Sequence, residues 1–412
     1  MKKQILVPVF LIALFLSACA MNINELDLTV KNTAGFDQKD KEVVLDCNKL
    51  KEMKSDFSTS NFIVLDAGKE IPYQMLVNDK GEEQILFVAD FAAGETKNIQ
   101  IKYGSGIKKS EYTPRTHAEL SKKPSDEPVN GKFHGDHFVN VFKYKVPKVH
   151  TDHDALFKFE GPGWESEKVG YRFYLDWRNS TDIFGKKEPG LILSTVGVHD
   201  TVAKDDSYHE MQDWGMDIFK VGPTLGIGTI AMMADGKVEK VSKTDSVVFE
   251  MLQNGPVRSE FKTSYYGWEA GKKKYNLESF ISIDAGSRLT KDVLVIDNDA
   301  ENLATGLAKH ENTNFIEKEN TGSWSYIALY GKQTLNDDNL GIALFFPQDQ
   351  LIEVTEDDNS HVVVLKPVNG EVTYYYCAAW EKEKNGIKTQ EEFVNYLDQT
   401  VNELNAPVKV NY

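Results

Sequence analysis

The sequence predicts a mostly β protein with a compact N-terminal β unit, a large sandwich of two broad sheets and a C-terminal helix. Short runs of alternating apolar and polar residues, separated by turn residues, recur from residue 26 to Cys377. So long a succession of strands exceeds what an immunoglobulin-sized sandwich holds, and it favours two broad sheets. Helical periodicity stands out only after residue 388.

The first 18 residues read as a lipoprotein signal peptide. Lys2 and Lys3 precede an apolar run over 5–16 that is too short to span a bilayer. The sequence LSAC, which ends at Cys19, resembles a lipobox, so we expect cleavage before Cys19 and lipidation of its thiol. Residues 19–25 would then form a tether. This tether has no acidic cluster, which favours a periplasm-facing lipoprotein anchored in the outer membrane.

Three segments follow the tether. Residues 26–104 alternate short strand patterns with turns and predict an N-terminal β domain. Residues 105–135 are rich in Lys, Ser, Pro and Gly and predict a linker. Residues 136–412 predict a large domain that would carry the catalytic site and end in the helix. That helix begins with a capping box at 389–392, and its apolar face consists of Phe393, Leu397, Val401 and Leu404.

The charge balance restricts the classes of partner. The chain has 47 Lys and Arg against 63 Asp and Glu, a formal net charge of −16, which argues against a nucleic-acid-binding protein. Any polyanion must therefore be held by a local basic patch. Besides Cys19, the chain has only Cys47 and Cys377, which could pair in an oxidising compartment or remain two buried thiols.

An alternating run over 169–178 places charged side chains on its second face. Its odd positions are apolar or aromatic, whereas its even positions include Arg172, Arg178 and a tyrosine. The chain has only five arginines, and two of them share this face. Because a guanidinium binds a carboxylate or sulfate bidentately, we expect the face to be an anion-binding surface. A run over 256–266 carries Arg258 and could stand beside the first in one sheet.

Histidines, acids and aromatic residues cluster in a glycine-rich segment over 195–229. Tyr208, His209, Trp214 and Lys220 would supply this segment with acid–base groups, a ring that stacks on a sugar, and a cation. An ordinary polar loop between strands is the alternative interpretation.

Two further histidine patterns are candidates. His310 follows a strand pattern and could enter the same cleft, although a single histidine is more often structural. Two HxDH units could together bind a divalent metal: His134 and His137 belong to the first, His150 and His153 to the second. These units lie in polar stretches without rigid support, so we favour solvated loops and expect no metal there.

Four stretches of the chain resemble a known family. They read GPGWESEKVGYRFYLDWRNSTDIFGK, WGMDIFKVGPTLGIG, NGPVRSEF and SIDAGSR. From about residue 26 onwards the chain resembles a lipoprotein-rich family of unknown-function domains from bacterial polysaccharide utilisation loci, and within it the ulvan oligosaccharide dehydratases. The resemblance implies a small N-terminal β-barrel-like domain followed by a large β super-sandwich.

The resemblance also implies a reaction that needs no cofactor. Such dehydratases remove water across C4–C5 of the non-reducing-end uronate of an ulvan oligosaccharide and leave an unsaturated uronyl residue. The substrate would be an anionic oligosaccharide of uronic acid and sulfated rhamnose. A polysaccharide lyase that acts by β-elimination and a non-catalytic glycan-binding lipoprotein are the alternatives, and the oligomeric state is left open.

This chemistry requires neutralisation of the uronate carboxylate, a base for the C5 proton and an acid for the departing hydroxyl. Our assignment of these roles is a hypothesis. The candidates are Arg172, Arg178 and Arg258 for the carboxylate or a sulfate, His209 and His310 for the base, Tyr174 and Tyr208 for the acid, and Trp214 and Trp164 for stacking on a sugar.

Overall fold

The structure, a computed structural model, describes residues 22–78, 80–198, 208–297, 300–318 and 322–412. The predicted signal peptide and Cys19 lie outside these residues, as does part of the glycine-rich segment. None of the helices in the described part of the chain has the length and apolar composition needed to cross a bilayer.

The described strands and helices follow in chain order. The first part contains β1 (Asn24–Lys31), β2 (Gln38–Asp46), α1 (Cys47–Met53), β3 (Phe62–Asp66), β4 (Lys69–Ile71), β5 (Tyr73–Val77), β6 (Glu83–Phe91) and β7 (Thr96–Tyr103). The next part contains β8 (Thr116–Glu119), β9 (Ser121–Lys122), β10 (Val139–Asn140), β11 (Lys143–Lys145), β12 (Gly163–Ser166), β13 (Gly170–Phe173), β14 (Thr181–Lys186), β15 (Gly215–Asp217), β16 (Ala231–Ala234) and β17 (Lys237–Lys240).

The last part contains most of the long strands. They are β18 (Ser246–Asn254), β19 (Arg258–Ala270), β20 (Lys273–Asp284), β21 (Thr290–Ile296), β22 (Leu303–Ala308), β23 (Thr313–Lys318), β24 (Trp324–Lys332), β25 (Asn339–Pro347), β26 (Leu351–Glu356), β27 (Ser360–Leu365) and β28 (Glu371–Trp380), followed by α2 (Gln390–Asn405) and β29 (Lys409–Asn411). Short 3₁₀ helices occupy Leu193–Thr195 and Gln348–Gln350.

The N-terminal unit consists of two open sheets. One has the strand order β29-β1-β7-β3-β4 and the other β2-β6-β5. Val30, Leu45, Ile85 and Ile101 come from both sheets and share one hydrophobic core. The unit is therefore a small sandwich rather than a closed barrel, and its edge strand β29 comes from the C-terminal end of the chain.

The larger unit confirms the predicted mostly β class and sandwich architecture. A nine-stranded antiparallel sheet has the order β11-β18-β19-β20-β21-β28-β25-β24-β23, and two five-stranded sheets have the orders β15-β14-β13-β12-β8 and β17-β16-β22-β27-β26. Tyr171, Leu303 and Ile342 belong to these three sheets and meet in a single core. The nine-stranded sheet thus packs one face against both five-stranded sheets.

The C-terminal helix α2 covers the other face of the nine-stranded sheet. Thr389 is its N-cap, and the predicted capping box with Glu392 is present. Phe393, Leu397 and Val401 are fully buried against that sheet, as the sequence periodicity predicts. Burial of each such side chain stabilises the fold by about 1.5–3 kcal/mol.

The two described cysteines are free. Cys47 lies in the N-terminal core and Cys377 lies beneath α2, so the two thiols belong to separate clusters. Burial raises the pKa of each thiol to about 12. Both therefore remain protonated and unreactive, which decides between the two alternatives that the sequence left open.

The run over 169–178 differs from the predicted strand. Strand β13 ends at Phe173, because Asp176 accepts the backbone N–H of Arg178 and begins a turn. Both faces of the strand are buried, since aromatic rings cover the side of Arg172 as well. Trp177, which the alternation predicts in the core, is 50% exposed.

Part of the predicted linker is a strand of the large unit. Residues 116–119 form β8, which pairs with β12 at the edge of a five-stranded sheet. Ala118 and Leu120 are fully buried there. The polar composition of the surrounding segment concealed this short buried strand.

Candidate active site

Arg172 lies at the centre of a buried polar cluster on β13. In the antiparallel register it stands directly opposite Asp182 of β14. Its Nε and Nη2 atoms donate to Asp182 Oδ2 over 3.1 and 2.8 Å, and Nη2 also donates to Asp217 Oδ2 over 2.7 Å. All three side chains are buried. One positive charge is therefore shared by two carboxylates away from water.

The excess of negative charge raises the proton affinity of this cluster. Burial, and then the charge of Asp217, raise the pKa of Asp182 to about 6. Burial by itself lowers the pKa of Arg172, but Asp217, Tyr174 and Asp182 outweigh it, and the guanidinium stays charged. Asp182 is therefore the member that takes up a proton at mildly acidic pH, and this leaves the trio of Arg172, Asp182 and Asp217 neutral.

Two tyrosine hydroxyls complete the cluster. Tyr174 donates its O–H to Asp182 and accepts from Arg172 Nη2 over 2.7 Å. Tyr208 accepts from Arg172 Nη1 over 3.2 Å and donates to the carbonyl of Lys158 over 3.4 Å. Burial is the main reason why the pKa of both phenols is raised, in Tyr208 to about 12. Both therefore stay protonated at physiological pH.

His209 is the exposed member of the site. Its side chain is 56% exposed, and its Nδ1 lies 3.2 Å from Asp217 Oδ2. Its ring also lies against Tyr208, with centroids 4.3 Å apart. A carboxylate acceptor at Nδ1 fixes the proton on that nitrogen, so the lone pair of Nε2 remains available. An imidazole held in this way by a buried carboxylate has the arrangement of a general base.

A second chain of ion pairs joins the cluster at Glu160. Arg178 binds Asp176 through Nε over 2.9 Å and Glu160 through Nη2 over 2.9 Å, and Glu160 also lies 3.7 Å from Arg172. Burial by itself raises the pKa of Glu160, but the two arginines outweigh it and lower the pKa. Glu160 and Asn179 have left-handed backbone conformations, with φ of 63° and 41°, and such strain concentrates at functional sites.

The predicted anion-binding surface over 169–178 is therefore buried. Both arginines bind carboxylates of this chain instead of facing solvent. The remaining three arginines are also paired: Arg115 with Glu167, Arg258 with Asp284 and Arg288 with Glu383. A ligand carboxylate would have to compete with an existing partner at each of them.

A sequence profile for the family described as a domain of unknown function, DUF4861, matches residues 30–410. The chain belongs to this family. This chain is also similar to a protein of Formosa agariphila described as uncharacterized protein P7. The two are 25% identical over 323 residues, which cover 73% of this chain and 77% of that protein.

Two solved structures from Enterococcus faecalis resemble this DUF4861 chain remotely. One is an alpha-mannosidase, with a TM-score of 0.45 and 10% identity over 94% of this chain and 46% of that one. The other is a protein in glycosyl hydrolase family 38, with a TM-score of 0.41 and 10% identity over 93% and 47%. The chain spans about half the length of these structures, and likeness at this level bears on neither activity nor substrate.

The two candidate tryptophans of the DUF4861 chain differ in exposure. Trp214 is partly buried and packs against Phe184, whose ring lies 5.6 Å from that of Tyr208, so Trp214 borders the Arg172 cluster. Trp164 is 1% exposed, and its indole N–H donates to Thr290 over 2.9 Å. No face of Trp164 is open to a sugar, which removes it from the candidates.

Arg258 lies elsewhere in the DUF4861 fold. It belongs to β19 of the nine-stranded sheet, whereas β13 belongs to a five-stranded sheet, so the expected pairing of the two runs is wrong. Alternation within each run gave no information on partner strands. Arg258 Nη2 binds Asp284 over 2.7 Å and Glu42 of the N-terminal unit over 2.8 Å, and it thereby links the two units.

His310 and Lys220 lie together, apart from the Arg172 cluster. His310 is hydrogen-bonded to the backbone of Lys220, and its ring lies 5.1 Å from that of Phe219. Burial, and then the charge of Lys220, lower the pKa of His310. A cavity of about 450 Å³, which His361 also lines, adjoins it. No hydrogen bond or ion pair between described residues joins His310 to Arg172, and the residues that line this cavity include none of the Arg172 cluster.

The two HxDH units do not form a common metal site. Within the described ranges, no three His, Cys, Asp or Glu side chains are grouped so that they could hold a metal ion. Each histidine has a local partner: His134 the carbonyl of Val129, His137 Asp136, His150 Asp154 and His153 Asp152.

The roles assigned from the sequence include neither Asp182 nor Asp217, the two carboxylates that organise the site. Asp182 lies in the sequence TDIF, before two buried apolar residues, and Asp217 lies in the sequence GMDIF, between two buried apolar residues. An acid between inward-facing apolar residues is the signal that would have identified them, because a buried carboxylate needs a charged partner. The strand register that places Asp182 opposite Arg172 was the missing information.

Proposed function

We propose that this chain is an oligosaccharide dehydratase, a hydro-lyase that removes water across C4–C5 of the non-reducing-end uronate of an ulvan-type oligosaccharide. The observation that carries the proposal is His209, which is half exposed and bound at Nδ1 to the buried Asp217. The resemblance of the sequence to ulvan oligosaccharide dehydratases supports the substrate class. In more general terms, we propose that the protein is a carbohydrate-active enzyme.

His209 would act as both base and acid in the proposed reaction. Its Nε2 removes the C5 proton, and Asp217 stabilises the resulting imidazolium. The electron pair of the C5–H bond forms the C4–C5 double bond while the C4–O bond breaks. The imidazolium then gives its proton to the departing hydroxyl, so that one water leaves and His209 returns to its neutral form.

The Arg172 cluster would adjust the charge beside the base. With both acids ionised, the trio of Arg172, Asp182 and Asp217 repels an anionic uronate. Proton uptake by Asp182, whose pKa is raised to about 6, removes that repulsion. The hydroxyls of Tyr174 and Tyr208 are bound to Arg172 in the interior. In this proposal both tyrosines are positioning residues and not the acid that contacts the sugar.

A single acid–base group acts on one face of the sugar ring. In glucuronate the C5 hydrogen and the C4 oxygen lie on the same face, whereas in iduronate they lie on opposite faces because the configuration at C5 is inverted. Elimination by His209 alone therefore favours a glucuronate at the non-reducing end.

Ultraviolet absorbance followed by mass spectrometry tests the proposal. Protein without residues 1–19 is incubated with uronyl-rhamnose-3-sulfate oligosaccharides whose non-reducing end is saturated. We expect absorbance of an unsaturated uronate to rise, one water to be lost and the chain length to stay the same. The same rise with shorter products would instead identify a polysaccharide lyase. Binding without any change in absorbance would identify a glycan-binding protein.

A further inference from the structure

A cavity of about 470 Å³ lies at the turn that follows β13, the strand that carries Arg172. Its walls come from residues 146–151, from the turn after β13 and from residues 241–247. Its lining residues include Trp177, His150, Lys148 and Lys243.

Trp177 forms one wall of this cavity. Its side chain is 50% exposed, and its indole N–H donates to Asp152 Oδ1 over 3.2 Å. The ring is thus fixed at its polar edge while part of its apolar surface faces the cavity and solvent. A rigid indole of this kind binds the apolar face of a sugar ring at little cost in conformational entropy.

His150 lines the same cavity with an unused ring nitrogen. Its side chain is 2% exposed, and its Nδ1 lies 2.7 Å from Asp154 Oδ2. The ring packs edge-on against Phe157, with centroids 4.9 Å apart. Nε2 is buried and has no hydrogen-bond partner among the described residues. A buried polar atom without a partner is unfavourable, and a ligand hydroxyl that donates to Nε2 would remove this cost after a small rotation of the ring opens Nε2 to the cavity.

The charges of the cavity favour an anionic ligand. Its acidic side chains are already paired: Asp176 with Arg178, Asp245 with Lys274 and Glu269 with Lys274. Lys148 and Lys243 are exposed, and neither has a carboxylate partner in the described part of the chain. Asp245 and Glu269 share the single ammonium of Lys274, so Lys148 and Lys243 are the lining cations that no ion pair of the described residues engages.

A chain of contacts connects the cavity with the candidate active site. Asp152, which holds Trp177, lies 3.3 Å from His153 Nδ1, and this nitrogen lies 3.8 Å from Glu160. Glu160 in turn lies 3.7 Å from Arg172. The turn after β13 thus carries both Trp177 of the cavity and Arg178, whose ion pair with Glu160 reaches the Arg172 cluster.

We propose that this cavity is a glycan subsite for a sulfated sugar residue. Trp177 stacks on the ring, His150 Nε2 accepts a hydrogen bond from a hydroxyl, and Lys148 and Lys243 bind the sulfate. The second HxDH unit then builds a sugar site rather than a metal site. The identity of the oligosaccharide rests on the proposed function, whereas the binding chemistry rests on the cavity itself.

Calorimetric titration with a sulfated uronyl-rhamnose tetrasaccharide tests the subsite. We expect Trp177→Ala to weaken binding at least tenfold and to raise KM with little change in kcat. Phe142→Ala is the matched control, because Phe142 is 69% exposed and does not line the cavity. Equal affinity of the wild type and Trp177→Ala for the tetrasaccharide would overturn the proposal.

A charge-reversal variant tests the anionic part of the ligand separately. We expect Lys148→Glu combined with Lys243→Glu to weaken binding of the sulfated tetrasaccharide and to leave binding of its desulfated form nearly unchanged. Equal loss for both forms would contradict recognition of the sulfate. Tight binding that depends on Trp177, without loss of water from the sugar, would retain the subsite and reject the dehydratase.

Discussion

Asp217 connects the two halves of the proposed site. One of its oxygens accepts from Arg172 and lies 3.2 Å from the imidazole of His209. Its other oxygen is buried without a hydrogen-bond partner in the described structure. The same buried charge thus orients the exposed base and raises the pKa of Asp182. A change in the protonation of Asp182 or His209 therefore alters the electrostatic environment of the other through Asp217.

Replacement of His209 tests its role as acid and base. We expect His209→Ala to lower kcat about 10²–10⁴-fold with a smaller effect on KM, since the imidazole is needed for proton transfer. The fold should persist because the side chain is 56% exposed. His310→Ala is the control and should keep kcat near that of the wild type. Wild-type turnover in His209→Ala would refute the assignment.

The raised pKa of Asp182 predicts a particular dependence of stability on pH. The folded protein binds this proton more tightly than the unfolded chain, in which the pKa is near 3.9. Its contribution to the free energy of unfolding is therefore complete below pH ~4 and is lost as the pH rises through about 6. A pKa difference of two units corresponds to ~3 kcal/mol.

Asp182→Asn isolates this contribution, because the amide stays neutral. Urea unfolding of both proteins between pH 4 and 8 measures it. We expect the wild type to lose stability relative to Asp182→Asn as the pH rises, by up to ~3 kcal/mol. A difference that stays constant over this range would mean that Asp182 titrates normally.

At the scale of elements, three short strands place the site. β13 carries Arg172, β14 carries Asp182 and β15 carries Asp217, so the pairing of these strands fixes the distances within the cluster. Gly215 begins β15 with φ of 138°, and a Cβ added there would lie 1.8 Å from the carbonyl oxygen of Gly185 in β14. A side chain at residue 215 is therefore incompatible with the observed pairing of β14 and β15.

Gly215→Ala should therefore displace β15 and Asp217 with it. We expect a loss of stability of roughly 2–4 kcal/mol, because the clash involves backbone atoms that have no room to move. Catalytic activity should fall with it. Gly35→Ala is the control, since no atom lies within 4 Å of its added Cβ. Thermal unfolding of the two variants gives the comparison, and equal midpoints would show that β15 accommodates the methyl group.

At the scale of the whole molecule, the N-terminal sandwich and the large unit are tied together at several points. β29 follows α2 in the chain and pairs with β1 of the N-terminal unit. Gln74 of the same unit binds the backbone of Arg258 through its side-chain oxygen and nitrogen. The guanidinium of Arg258 adds charged contacts to Glu42 and Asp284. These contacts predict that the two units depend on each other for stability.

Arg258→Met tests this dependence. Loss of the guanidinium leaves Asp284 without its charged partner, and we expect the free energy of unfolding to fall by about 3 kcal/mol. Glu42→Gln should cost less than about 1 kcal/mol, since Glu42 is 44% exposed. Denaturant unfolding measures both. Equal small effects would show that this ion pair does not stabilise the contact between the units.

Part of the candidate site followed from the sequence. Arg172, Tyr174, Tyr208 and His209 were predicted as functional residues, and the structure brings them together around Asp182 and Asp217. The grouping depends on cross-strand register, which alternation within one strand does not reveal. For the same reason Arg258 was assigned to the wrong sheet.

The sequence by itself determined the mostly β class and the C-terminal helix with its cap and buried face. These features are local, since a period of two residues, a period of 3.6 residues and a capping box are each complete within one segment. Only the tertiary structure decided that two acids share Arg172 and that Trp177 faces a cavity which His150 also lines. These residues meet because strands and turns distant in the chain pack together, and many pairings satisfy the same alternation.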